Sequence, residues 1–209
     1  MTKAVDTNTE EKILEAAKDA FMKYGLYGAR MQDIADNAGI NKALLHYYFR
    51  NKETLFDKVF DGALSKYFEQ MTIFSDTSLP VTERIFIYIE RIINFFSEYP
   101  MMSMFIIKEI SVNPELFRSK IVNLKPKKGS SLISVLRDGI ESGEIKDTDP
   151  IMFIVNLHSL CAYPFLASPI FKSMINMQDS TWEDPGNNKL KASVKDFVTF
   201  KLSKHNKQQ

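Results

Sequence analysis

Two short amphipathic helices joined by a glycine turn form the pattern that most constrains how this chain can fold. They occupy residues 31–55, MQDIADNAGINKALLHYYFRNKETL. In the first helix Ile34, Ala35 and Ala38 share one face, and Gly39 follows as a residue that readily adopts the left-handed backbone of a helix end. Because Ala35 and Gly39 are small, the second helix can approach the first closely, as in a helix-turn-helix.

The second helix separates into a packing face and a free face. Asn41 is a suitable N-cap, since its side-chain oxygen can accept from a backbone N–H of the first turn. Apolar positions that recur at i, i+3 and i+4 predict the packing face, which consists of Leu45, Tyr48 and Phe49. The opposite face carries Lys42, Ala43, His46 and Tyr47. A further helix starts directly afterwards, with Asn51 as its predicted N-cap.

The run DIADNAGINKALLHYYFRNKETL resembles the N-terminal signature of the TetR family of bacterial transcriptional regulators. The shared pattern is a D-I-A helix, an A-G turn, a Ser/Asn-Lys start to the recognition helix, an aromatic triplet ending in Phe, and a K-E-x-L start to the next helix. Two positions depart from the pattern. Ala29 and Arg30 stand where the family usually has a Ser/Thr pair, and Leu44 stands where the recognition helix usually has Thr.

The resemblance also implies which side chains contact DNA. The positions expected at base edges are Gln32, Lys42, Ala43 and His46. The positions expected at the DNA backbone are Arg30, Leu44, Tyr47, Tyr48 and Lys52. Arg30 offers a charge in place of the missing hydroxyl, whereas Leu44 cannot bond a phosphate but could touch a thymine methyl group. A charged helix face is often only solvated, and it is the surrounding motif that favours DNA binding here.

Charge supports this interpretation locally but not globally. The formal net charge is +1, which does not by itself indicate a nucleic-acid-binding protein. Residues 37–52, however, contain Lys42, Arg50 and Lys52 and no acid. The positive charge therefore lies where the free face of the second helix is predicted.

The rest of the chain predicts an all-α protein with two domains, residues 1–52 and 53–209. The eight prolines all fall from Pro80 onward, and several of them divide the sequence into segments of helical length. Helices are predicted for residues 9–25, 52–71, 80–99, 100–112, 114–124, 126–142, 149–167 and 189–204, with a further turn of helix in residues 169–176. Two segments are apolar nearly all round, residues 101–110 and 151–166, which predicts burial inside the domain or against a second copy.

The composition is that of an ordinary globular protein, and it predicts a cytoplasmic location. Cys161 is the only cysteine, so neither an intrachain disulfide nor a cysteine-rich zinc site can form. The first residues have no apolar core of a signal peptide. Residues 151–171 are uncharged, but Asn156, His158 and Pro164 interrupt them, which favours a buried helix or a subunit interface over a membrane span.

No catalytic, metal-binding or cofactor motif is found, and neither an enzyme nor a cofactor is expected. The C-terminal helices instead offer aromatic, aliphatic and Met side chains that form a core and could also line a pocket. The pocket candidates are Phe86, Ile89, Phe96, Met101, Met104, Phe105, Phe153, His158 and Phe165. His158 is more simply a core or interface histidine, and the sequence does not separate a core from a cavity.

The resemblance implies a homodimer whose two recognition helices occupy successive major grooves of a near-palindromic operator. A small, mainly apolar effector of unknown identity would release it from DNA, as in a repressor. The alternative is a helical carrier of apolar ligands whose N-terminal unit no longer reads DNA, which the departures at Ala29 and Leu44 favour. Effector, operator, regulated genes and sign of regulation are not contained in the sequence.

Overall fold

The computed structural model describes residues 7–123, 131–174 and 187–204. These residues form eleven α-helices and one 3-10 helix and contain no strand, so the predicted all-α fold is confirmed. The helices are α1 (Thr7–Gly28), α2 (Met31–Asn37), α3 (Lys42–Tyr48), α4 (Lys52–Glu69), α5 (Val81–Glu98), α6 (Pro100–Val112), α7 (Pro114–Asn123), α8 (Leu132–Glu141), α9 (Pro150–Leu166), α10 (Ser168–Met174) and α11 (Asn188–Leu202), and the 3-10 helix is Gln70–Ser75.

Prolines start helices here as the sequence predicts. Helices α6, α7 and α9 begin at a proline, and Pro80 directly precedes α5. The helix predicted for residues 126–142 begins at Leu132, because Ser131 has an extended backbone and caps the helix by accepting from the N–H of Ser134. Residues 124–130 lie outside the described residues. Residues 175–186 and 205–209 lie outside the described residues as well.

Gly25 interrupts the first helix without ending it. Its backbone has φ 69° and ψ 179°, so it leaves helical geometry where the sequence predicts the end of α1. The chain then makes one more turn as far as Gly28. The positive φ favours glycine here, whereas the atom nearest to an added Cβ, Nζ of Lys108 at 2.8 Å, is the end of a flexible side chain that could move away.

The chain divides into two compact units. The first contains Met1–Lys66 together with Met104–Asn123, and the second contains Tyr67–Ser103 together with Leu124–Gln209. The predicted domain boundary after Lys52 stays a prediction, since α4 continues without a break from Lys52 to Glu69. Residues from the middle of the chain therefore pack with the N-terminal helices.

Aromatic rings fill the core of the first unit. Phe21 of α1 meets Phe56 of α4 edge to face, with ring centroids 5.1 Å apart. Phe105 of α6 packs against both Phe56 and Phe60, at 5.8 and 5.6 Å. Such pairs contribute about 0.5–1.5 kcal/mol beyond the burial of their area, so this cluster ties α1, α4 and α6 together.

Helix α5 is the centre of the second unit. It packs against the 3-10 helix, α8, α9 and α11, and its apolar residues Ile85, Ile89, Ile92 and Ile93 are fully buried. Glu90 of α5 also pairs with two lysines of α11, Lys195 at 2.6 Å and Lys191 at 3.1 Å. Hydrogen bonding to Lys195 is the main cause that holds the pKa of Glu90 below its ordinary value.

The apolar helix α9 is only partly covered within one protomer. Its inner side, with Phe153, Leu157 and Cys161, is buried, whereas five large apolar side chains on it are exposed: Ile151, Met152, Val155, Leu160 and Tyr163. Of the two outcomes predicted for residues 151–166, burial inside the protomer therefore accounts for one side of the helix only.

Two glycines of the first unit offer a matched test of the backbone. We expect Gly39→Ala to lower the free energy of unfolding by about 1 kcal/mol, because Gly39 has φ 69° and alanine is strained there although no atom lies within 4 Å of an added Cβ. Gly62→Ala should raise it by up to about 1 kcal/mol, since Gly62 lies inside α4 with equally open space around it. Urea unfolding followed by circular dichroism measures both, and shifts in the same direction would contradict the assigned backbone at Gly39.

Candidate nucleic-acid interface

Helices α2 and α3 pack through small and aliphatic side chains. Ile34 and Ala35 of α2 and Leu45 of α3 are fully buried. Gly39 takes the predicted left-handed conformation in the turn. Asn41 caps α3 as predicted, because its side-chain oxygen accepts from the N–H of Leu44 at 2.8 Å. These contacts determine which face of α3 is buried, and therefore also which side chains lie on the opposite face.

The opposite face of α3 is open to solvent. Lys42, Ala43, His46 and Tyr47 are all exposed, with Tyr47 at 67% of its full surface. Residues 41–52 carry no acid, whereas α2 carries the exposed Asp33 and Asp36. The free face of α3 can thus offer an ammonium group, a methyl group, an imidazole and a phenol to a ligand. It carries no carboxylate that would repel an anionic ligand.

Two of the predicted base-contacting side chains are oriented by hydrogen bonds inside the protein. Nδ1 of His46 lies 3.3 Å from the carbonyl oxygen of Arg50. Nε2 of Gln32 donates to Oδ1 of Asp36 at 2.8 Å, which leaves the second amide N–H and the amide oxygen of Gln32 for another partner. Both side chains are exposed. A fixed orientation before binding reduces the entropy lost when a ligand is bound.

Lys52 has a contact that the sequence does not reveal. Its ammonium group donates to the carbonyl oxygens of Ala29 at 3.1 Å and Tyr27 at 3.4 Å, both at the end of α1. A lysine has three donors, so one N–H is left for a phosphate. Lys52 therefore ties the start of α4 to the segment that enters α2, besides any contact with DNA.

The other predicted backbone contacts differ in exposure. Arg30 is exposed and precedes α2 without capping it through its side chain. Leu44 and Tyr48 are half-buried, and the rings of Tyr47 and Tyr48 meet edge to face at 5.6 Å. Tyr48 thus contributes to packing, as its position in the apolar pattern also predicts.

Two exposed residues near these positions were not singled out from the sequence as contacts. Tyr27 exposes 84% of its surface three residues before Arg30, and Arg50 is exposed directly after α3. Tyr27 is exposed on the last turn of α1, beyond Gly25. A sequence pattern that ends the helix at Gly25 does not predict this turn and therefore does not predict the position of Tyr27.

The pocket candidates do not form one cluster. Ile89, Phe96 and Phe153 are buried in the second unit, where Phe96 meets Phe165 at 5.9 Å and the half-buried Phe86 lies 5.7 Å from the ammonium of Lys195. Met104 and Phe105 belong to the first unit, where Phe105 fills the aromatic core. Met101 and Met104 are about half exposed. The predicted pocket therefore stays a prediction for the residues of the second unit.

His158 is a satisfied core histidine in the second unit. Its Nδ1 bonds the carbonyl oxygen of Ile154 at 3.0 Å, and its Nε2 accepts from the hydroxyl of Tyr88 at 2.8 Å. Burial lowers the pKa of His158, and burial also raises the pKa of Tyr67, which bonds Tyr88, to about 12. All three groups are neutral near pH 7, so they form a polar chain without charge.

The described residues contain no group of three His, Cys, Asp or Glu side chains placed to hold a metal ion. Within the same residues, every helix is too short or too polar to cross a membrane.

Comparison with known proteins agrees with this geometry. Residues 13–59 match the family described as bacterial regulatory proteins, tetR family. The uncharacterized HTH-type transcriptional regulator YhgD of Bacillus subtilis is 30% identical over 142 residues, which span 66% of this chain and 72% of YhgD. The HTH-type transcriptional regulator RutR of Escherichia coli is 26% identical over 141 residues, or 68% of this chain and 66% of RutR.

The fold is shared over nearly the whole chain. The crystal structure of SCO4942 from Streptomyces coelicolor superposes with a TM-score of 0.70, at 21% identity, and the alignment covers 93% of this chain and 98% of SCO4942. The helix-turn-helix, the matched family signature and the coverage of YhgD lead to one conclusion. This chain belongs to the TetR family of helix-turn-helix transcriptional regulators.

Proposed function

We propose that this protein is a ligand-responsive repressor that binds a near-palindromic operator as a homodimer in the cytoplasm and is released by a small, mainly apolar effector. The observation that carries the proposal is the exposed face of α3, which is preorganised and free of acids while its other face is buried against α2. A helix presented in this way fits the major groove of B-DNA.

Base recognition is assigned to four exposed side chains of α2 and α3. Lys42 can donate to the O6 and N7 acceptors of guanine, and the methyl group of Ala43 can touch the methyl group of thymine. His46 and Gln32 offer oriented polar atoms. These chemistries differ from one another, so together they would specify more than one base pair of a half-site.

Phosphate contacts are assigned to the residues around this face. Arg30 and Tyr47 are exposed beside it, and Lys52 has a third N–H that can donate to a phosphate. Phosphate contacts fix the position of a protein on DNA but carry no sequence information. The half-buried Leu44 offers an apolar contact only.

The exposed side of α9 is the proposed centre of the dimer interface. Homodimer interfaces are apolar at their centre, and five large apolar side chains of one helix are left uncovered. Helix α11 packs beside α9 in the same unit and exposes Phe200 at 64%. A dimer built on these helices would present two α3 helices to half-sites about one helical turn apart, roughly 34–36 Å.

The effector is assigned to the buried aromatic and aliphatic side chains of the second unit, around Phe96 and Phe165. A ligand shifts a conformational equilibrium only through its different affinities for the two states. A 100-fold release from DNA needs about 2.7 kcal/mol of preference, which lies within the usual range of allosteric coupling.

Lysine variants test the division between base and backbone contacts. We expect Lys52→Ala to weaken binding to every DNA sequence and to reduce the salt dependence of binding by about one phosphate contact. It should also lower the free energy of unfolding by about 1–2 kcal/mol, because two hydrogen bonds to carbonyl groups are lost. Lys42→Ala is the matched control. Its free energy of unfolding should be unchanged, and its binding affinity should fall more for the operator than for random DNA. Equal losses on both DNAs would remove Lys42 from the base-contacting set.

A charge on the exposed side of α9 tests the dimer. Val155→Arg is expected to give a monomer that keeps its helical content and whose operator affinity falls to nearly that for random DNA, because a guanidinium would be buried without a partner in the interface. Leu157 is unsuitable for this test, since it is fully buried inside the protomer. Asn94→Arg, on an exposed position of α5, is the control and should remain dimeric in sedimentation at micromolar concentration. A monomeric wild type would contradict both the dimer and the two-half-site operator.

Reciprocity tests the effector. A compound found by its thermal stabilisation of the protein should bind more weakly in the presence of operator DNA, by the same factor by which it weakens operator binding. Titration calorimetry with and without operator measures that factor. Identical affinities in the two titrations would show that the compound binds without regulating DNA binding.

A further inference from the structure

The contact of His46 with the backbone determines which of its ring nitrogens carries the proton. Nδ1 lies 3.3 Å from the carbonyl oxygen of Arg50. A carbonyl oxygen can only accept a hydrogen bond, so Nδ1 must be the N–H of the neutral ring. Nε2 then holds a lone pair, and it belongs to a side chain that is exposed on the free face of α3.

The same arrangement occurs at His158, where both ring nitrogens have hydrogen-bond partners. There Nδ1 bonds the carbonyl oxygen of Ile154, and Nε2 accepts from a hydroxyl donor, that of Tyr88. The half-buried His158 therefore illustrates the arrangement of partners that the exposed His46 can adopt. A backbone carbonyl four residues away in sequence fixes Nδ1, and Nε2 acts as an acceptor.

Of the three side chains of α3 that are predicted to contact bases, only His46 can accept a hydrogen bond, through Nε2. The ammonium group of Lys42 only donates, and Ala43 has no polar side-chain atom. In the major groove adenine and cytosine present exocyclic amino groups, N6 and N4, whereas guanine and thymine present keto oxygens as acceptors. A keto oxygen facing the lone pair of Nε2 would leave two acceptors opposed without a proton between them.

We propose that Nε2 of His46 accepts a hydrogen bond from the exocyclic amino group of one base in each half-site, so that His46 selects adenine or cytosine over guanine and thymine on the strand it contacts. This assignment rests on the proposed DNA-binding function and adds the polarity of one contact. His46 is thus a specificity-determining residue whose preference is set by the carbonyl group of Arg50.

Base analogues test this contact in the full-length protein. An operator is first enriched from genomic fragments by the wild-type protein. Each adenine of a half-site is then replaced by purine, which lacks N6, and each cytosine by 2-pyrimidinone, which lacks N4. Binding is measured for the wild type, His46→Ala and Lys42→Ala. At one position the loss of the amino group should weaken wild-type binding about five- to tenfold, the effect of one hydrogen bond.

The variants separate this contact from a general effect of the analogue on the duplex. At that position the same replacement should leave the operator affinity of His46→Ala unchanged. It should still weaken the operator affinity of Lys42→Ala about five- to tenfold. His46 is exposed, and circular dichroism should show unchanged helix content in His46→Ala. Adenine and cytosine are distinguished by which of the two analogues gives the effect.

The opposite results are equally clear. If no adenine or cytosine amino group couples to His46, the assignment is overturned although the protein still binds its operator. If no operator is enriched, the proposed DNA-binding function fails and the assignment fails with it. Nitrogen-15 NMR of the free protein needs no DNA, and a neutral His46 ring protonated at Nε2 instead of Nδ1 would overturn the assignment by itself.

Discussion

The close packing of α2 on α3 is the constraint on which the rest of the first unit depends. Ile34, Ala35 and Leu45 exclude water completely, and the left-handed turn at Gly39 lets the two helices meet. Once one face of α3 is buried in this way, its helical period decides which side chains face outward. The chemistry of the exposed face of α3 follows from an apolar contact on the other side of the helix.

The first unit extends beyond the helix-turn-helix because residues from the middle of the chain pack into it. Lys120 of α7 lies 2.6 Å from Asp61 and 3.4 Å from Asp57 of α4, and its side chain is only 12% exposed. Phe105 of α6 completes the aromatic core with Phe56 and Phe60. Helices α4 and α6 each have residues in both units. Two continuous helices thus carry the chain from the first unit into the second.

How far the sequence predicts the structure can be judged from particular elements. The caps at Asn41 and Asn51 and the helix starts at Pro100, Pro114 and Pro150 follow from local hydrogen bonding and from the fixed φ of proline, and all of them are found. The inward and outward sides of α3 also follow from its period. The continuation of α1 past Gly25 does not, because a glycine with positive φ is the usual signal for the end of a helix.

Long-range contacts account for the remaining differences. Phe105 and Phe96 read alike in sequence as apolar positions of C-terminal helices, yet they lie in different units, since the pattern of an apolar helix does not name its partner. The bonds of Lys52 to Ala29 and Tyr27, and of Glu90 to Lys191 and Lys195, join residues more than twenty positions apart.

The sequence by itself determined the helical class, the helix-turn-helix and the identity of its exposed side chains, because these depend on local periodicity and capping. Only the tertiary structure decided that Lys52 holds two carbonyl groups, that Leu157 faces inward while Val155 faces outward, and that Met104 and Phe105 belong with the N-terminal helices. These facts depend on which surfaces meet across long stretches of chain, and the order of residues along one helix does not contain that information.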